Sequence, residues 1–126
     1  MHADMEDLLI DHINAWNSHD LDRLMAMFST DCIFEASSGD TVAGESFVGA
    51  EAVRGAFADV FTEMPDAHWG DGRHYLLDRD YGVSQWTLTG TLDDGRRVMV
   101  NGCDFITVAD GLVIRKDSYR KQRPPF

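Results

Sequence analysis

The feature that most constrains this chain is a change of hydrophobic period at Pro65. Before it, apolar residues recur at helical spacing. After it, they alternate. Met5, Leu8, Leu9, His12, Ile13 and Trp16 fall on one stripe over residues 4–17, as an amphipathic helix requires. "NSHD" interrupts the stripe, and Asp20 is placed to cap a second helix, "LDRLMAMF". "CIFEA" reads as a short strand, and the loop after it holds at most one more. "AEAVRGAFADVFTEM" predicts a third helix with Val53, Phe57, Val60, Phe61 and Met64 inward, stopped by Pro65. From residue 72 onward, "GRHYLLD", "VSQWTLTGTL", "RRVMVNGCDFITV" and "LVIRKDSYRK" alternate as strands. The turns "RDYG", "DDG" and "ADG" separate them. Three helices followed by an antiparallel meander predict an α+β domain, with helices packed on one face of a curled sheet.

The 126 residues suit one domain spanning 1–126, with "KQRPPF" (121–126) expected as a loose tail. The net charge of −11 argues against a nucleic-acid partner, which needs basic patches, and against anionic membrane surfaces. No apolar run nears the ~20 residues of a membrane-spanning helix, and the acidic N-terminus is unlike a signal peptide. Cys32 and Cys103 are too few and too scattered for a disulfide framework or a zinc site. They read as reduced strand residues of a cytoplasmic protein. His12, His68 and His74 lack metal-ligand spacing, and no cofactor fingerprint occurs. The expectation is no metal and no cofactor.

One residue breaks the strand pattern. Asp104 lies inside a strand, with the parity of Val98, Val100 and Ile106. A carboxylate on a dry sheet face is costly unless compensated. A three-residue loop at "DDG" pairs Leu92 with Arg96, Trp86 with Gly102 and Ser84 with Asp104. The same loop at "ADG" pairs Val108 with Leu112 and sets Lys116 across from Asp104. A two-residue Asp-Gly turn there would instead oppose Asp104 to Asp117. The three-residue register is preferred because it keeps Trp86 and Leu88 with the valines. One face then gathers Trp86, Leu88, Val98, Val100, Ile106, Val108 and Ile114, with Asp104, Lys116, Ser84 and Ser118 set into it. The same residues also permit a purely structural Asp104–Lys116 ion pair.

"AWNSHDLDRLMAMFSTDCIFE", "FVGAEAVRGAF", "WTLTGT…DGR" and "DGLVIRKDSY" together resemble the SnoaL-like branch of the nuclear-transport-factor-2-like superfamily, the group of ketosteroid isomerases and polyketide cyclases. The resemblance implies a cone-shaped α+β barrel, a homodimer, and one apolar pocket for a small molecule. In a ketosteroid-isomerase-like alignment Asp104 takes the place of the oxyanion-hole acid. The general-base position falls on Ala36, with Glu35 beside it on the other face, and the pocket Tyr position falls on His12. An isomerase mechanism does not carry over as written.

The resulting expectation is a cofactor-independent enzyme moving protons on an apolar carbonyl compound. Its catalytic candidates are Asp104, His12, Lys116 and His74. Trp16, Trp86, Phe57 and Trp69 are expected against the substrate. His74 is assigned inward by its parity with Leu76, and His68 and Trp69 are assigned to a loop at the mouth. Arg115, Arg120, Lys121 and Arg123 read as a solvated basic end. The alternative is a non-catalytic ligand-binding or dimerisation module using the same pocket.

Overall fold

The computed structural model describes residues 4–126. Helix α1 (Met5–Ser18) starts where the Asp4 side chain accepts a hydrogen bond from the Asp7 amide, and it ends on His19 in the left-handed region. Asp20 caps α2 (Leu21–Met25) as the sequence predicts, accepting from the Arg23 amide at 3.0 Å. That helix is shorter than expected: Phe28 opens strand β1 (Phe28–Glu35) instead of closing the helix. A short β2 (Ser46–Val48) precedes α3 (Ala50–Glu63). Strands β3 (His68–Asp78), β4 (Tyr81–Thr91), β5 (Arg97–Ala109) and β6 (Leu112–Arg120) complete the chain.

The six strands form one curved sheet ordered β2-β1-β6-β5-β4-β3. The late strands form the expected antiparallel meander. β1 pairs antiparallel with β2 and parallel with β6, so the sheet is not wholly antiparallel and stays open between β2 and β3. α1 packs on β3 and β4, and α3 packs on β1. The core lies between helices and sheet, where Leu8, Leu9, Val53, Phe57, Leu88, Ile106 and Val113 are almost fully enclosed.

The β4–β5 hairpin has the predicted three-residue loop. The Leu92 amide donates to the Arg96 carbonyl, and Gly95 takes φ +85°. Ser84 therefore faces Asp104 and Trp86 faces Gly102. The β5–β6 hairpin differs from the preferred register. Asp110 and Gly111 both have positive φ and form a two-residue turn that pairs Ala109 with Leu112. Ile114 is then an extra, bulged residue, so Val108 faces Val113 and Asp104 faces Ser118. Neither Lys116 nor Asp117 lies directly across from Asp104. The bulge buries Val113 and leaves Ile114 at the surface, reversing the expected place of Ile114 in the apolar face.

A second bulge, between Gly70 and Arg73, changes the parity of β3. It lets Trp69 and His74 share the inner side although their numbers differ by five. β3 starts earlier than expected, so His68 and Trp69 are strand residues paired with Thr89 and Leu88. Leu76 shares the face of His74, opposite Gly82 as His74 is opposite Ser84, and it stays largely open beside Met5 and Val108.

The tail is not loose. Lys121 donates to the Asn101 carbonyl, Arg97 and Phe126 exchange backbone hydrogen bonds, and the Arg123 guanidinium stacks over the Phe126 ring. Two free thiols occur, Cys32 buried and Cys103 half-buried. Among the described residues no helix is long and apolar enough to cross a membrane.

Candidate active site

Alternation along β5 and β6 carries Asp104, Lys116, Ser118 and Arg120 to one side of the sheet, where α1 and α3 roof a cavity of about 260 Å³. Trp16, Trp69 and Trp86 form its aromatic walls. It is not the most voluminous hollow. A depression of about 430 Å³ beside Met5, Leu76 and Val108 is larger, but it holds none of the predicted catalytic residues.

Asp104 is 1% exposed and accepts from three donors. The Ser118 hydroxyl donates to Oδ1 at 2.5 Å. Trp86 Nε1 donates to Oδ2 at 2.9 Å, and Lys116 Nζ lies 2.8 Å from the same oxygen. Burial pushes the Asp104 carboxyl up. The Lys116 ammonium, His12 and the hydrogen bonds from Lys116 and Ser118 together outweigh it, and the group stays below its ordinary 3.8. An ionised carboxylate with three donors has no proton to give, so the neutral oxyanion-hole acid suggested by the resemblance does not fit this environment.

Lys116 is 4% exposed. Burial lowers its proton affinity more than Asp104 restores it, leaving it below the ordinary 10.5. Its Nζ also lies 3.5 Å from His12 Nε2 and 5.2 Å from the centre of the Trp16 ring. His12 is wholly enclosed. Its Nε2 accepts from Trp16 Nε1 at 3.1 Å, which puts the proton of a neutral ring on Nδ1. Burial first, and then the Lys116 charge, hold the imidazole neutral well below pH 6.5. His12 thus sits behind Lys116 and does not line the cavity.

His74 is farther still. Its Nδ1 meets at 2.8 Å the hydroxyl of Ser84, which itself stands directly across from Asp104, so His74 is two strands away from the carboxylate, and burial lowers its pKa. Phe57 is fully enclosed and packs edge-on against Trp16 and Phe34, so it supports the wall from behind. Five of the eight predicted site residues therefore line the cavity: Asp104, Lys116, Trp16, Trp69 and Trp86. Ala36 lines it too, at the alignment's general-base position. The basic end is not uniformly solvated. Arg115 pairs with Glu35, and Arg120 turns into the cavity. The parity Arg120 shares with Lys116 and Ser118 is the sequence signal that reveals it.

Fold and pocket define a small α+β cup with a buried ion pair at its base. The profile of the SnoaL-like domain family matches residues 9–116, and the chain belongs to that family. Among solved structures, the chain is similar to a candidate polyketide cyclase from Pseudomonas putida KT2440, with TM-score 0.78 at 19% identity, covering 94% of this chain and 91% of that one. It is also similar to Bal32a from a soil-derived mobile gene cassette, with TM-score 0.79 at 19% identity, covering 93% and 88%. A third is TerC, co-crystallised with polyporic acid, with TM-score 0.75 at 16% identity, covering 92% and 90%. At these identities the likeness is one of fold. No curated protein matches the chain.

Proposed function

We propose that this SnoaL-like protein is a cofactor-independent enzyme that abstracts a proton beside the carbonyl of an apolar small molecule. The observation that carries this reading is the Asp104–Lys116 pair, 2.8 Å apart at the base of a tryptophan-walled cavity. A carbonyl oxygen and the hydrogen on its neighbouring carbon are spaced to meet such a pair together. Asp104, as carboxylate, takes the proton. The Lys116 ammonium hydrogen-bonds the oxygen that becomes the enolate. The carbanion equivalent is then reprotonated, as in an isomerase, or attacks a second carbonyl of the same molecule, as in a cyclase. His12 acts through Lys116, accepting from Trp16 and keeping the ammonium turned toward Asp104. His74 acts from behind Ser84. The fold neighbours support the setting: one is named as a candidate cyclase, and another was crystallised with a small molecule.

A second reading is favoured by the saturation of Asp104. Its oxygens already accept from Ser118, Trp86 and Lys116. In that case Asp104 anchors Lys116 and the cup only binds its ligand. Isotope exchange at the carbon of a bound ketone separates the two. Catalysed exchange supports the enzyme, whereas saturable binding without exchange supports the binding module. We further propose a homodimer formed through the outer face of the sheet, where Tyr119 packs on Phe105 and both Tyr119 and Met99 are exposed, and a cytoplasmic location.

A further inference from the structure

Arg120 is half-buried at the edge of the cavity that holds Asp104 and Lys116. Its side chain makes no hydrogen bond or ion pair among the described residues. Glu63 and Asp104 are the acids whose fields it feels, yet neither comes within ion-pair distance. A half-buried guanidinium at a cavity edge whose five donors find no acceptor on the protein is free to take one from a ligand. Every other interior charge of the cup is matched: Asp104 takes three donors, and Lys116 has both Asp104 and His12. Arg120 is the interior cation still lacking an anion.

We propose that Arg120 docks an ionised acid group of the substrate, so that the substrate class is an anionic carbonyl compound held at two points. This rests on the proton-transfer reading for the other point, where the carbonyl meets Lys116. Lys116 and Arg120 lie on the same side of β6, four residues or about 13 Å apart between Cα atoms at strand spacing. Lys116 Nζ is drawn toward Asp104, which faces Ser118, so the acid and the reacting carbonyl occupy separate positions on one molecule, one two-residue strand step apart. The tryptophan wall between them accepts an apolar, ring-like body. A planar guanidinium suits a carboxylate, which it can engage through two parallel N–H donors. Glu45, Asp59 and Glu63 are exposed around the same mouth and repel a dianion more strongly than a monoanion. The expected ligand thus carries one acid group.

The test uses the full chain and two probes of nearly equal shape, 2-naphthoate and methyl 2-naphthoate, with binding read by calorimetry and by quenching of the pocket tryptophans. The unaltered protein binds the acid roughly 10- to 100-fold more tightly than the ester, the worth of a charge-assisted hydrogen bond. In Arg120→Met the acid falls to the affinity of the ester, while the ester binds as before. Equal affinities in the unaltered protein, no saturable binding of the acid, or a preference that survives Arg120→Met each overturns the proposal. Proton exchange on a bound ketone is read separately. Acid preference without exchange removes the proton-transfer reading and leaves Arg120 as the anion anchor of a binding module.

Discussion

Lys116 reaches Asp104 along a diagonal. Ser118 stands directly opposite Asp104 and Lys116 lies one pleat away, yet Nζ and Oδ2 are 2.8 Å apart. A long side chain spans the diagonal, and the opposed position is freed for a hydroxyl that saturates the other carboxylate oxygen. Breaking this pair from either side leaves a buried charge alone. Lys116→Met and Asp104→Asn should each lower stability by about 3–5 kcal/mol. The double variant Asp104→Asn with Lys116→Met should lose less than the sum. Urea unfolding of all four proteins measures the coupling, and additive losses would mean the two groups are independent.

His12 predicts how stability responds to acid. Enclosure and Lys116 keep the ring neutral in the folded protein, whereas the unfolded chain takes up a proton near pH 6.5. The unfolded state then binds more protons, so stability is full above that pH and declines as pH falls below it. His74, whose pKa burial also lowers, adds in the same direction. Urea midpoints measured from pH 8 to pH 5 should fall, and His12→Gln should flatten the decline. An unchanged slope in that variant would place the titration elsewhere.

Gly102 controls the tryptophan that donates to Asp104. A Cβ at this position would lie 2.5 Å from the Trp86 ring and 2.4 Å from the Tyr119 carbonyl oxygen. Gly102→Ala should therefore push the indole off the strand and destabilise the protein by about 1–3 kcal/mol. Weakened binding of pocket ligands should accompany the loss. A normal emission spectrum together with normal stability would show that the strand can yield at this point.

The outer face of the sheet predicts association. Phe105 packs against Tyr81 and Tyr119, and Tyr119 and Met99 remain open to solvent. Such a patch on a strongly acidic protein is best covered by a second copy. Sedimentation at micromolar concentration should give a dimer, and Tyr119→Glu should give a monomer. A monomer in the unaltered protein would remove this claim and leave the fold untouched.

The helices and the meander were legible because their periods differ, and Asp104 stood out because a carboxylate interrupts an apolar strand face. The Asp104–Lys116 pairing was foreseen, but its geometry was not. Asp110 and Gly111 can form either a three-residue or a two-residue turn. Choosing between them depends on whether Ile114 bulges, which is settled by packing Val113 into the core. The bulge after Gly70 likewise hid the inward direction of Trp69. The parallel β1–β6 pairing joins segments about eighty residues apart and leaves no local trace. Arg120 was hidden differently. Its neighbours Lys121 and Arg123 suggested a solvated basic end, while its parity with Lys116 marked the cup.

The most direct test of the central claim is deuterium exchange at the carbon beside the carbonyl of 2-tetralone, followed by NMR in D2O with the protein and its Asp104→Asn variant. The account predicts exchange faster than buffer alone with the unaltered protein. It predicts a loss of roughly 100-fold or more in Asp104→Asn, the usual contribution of a positioned general base, with the ketone still bound. Exchange no faster than buffer in the unaltered protein, or equally fast in Asp104→Asn, would contradict it.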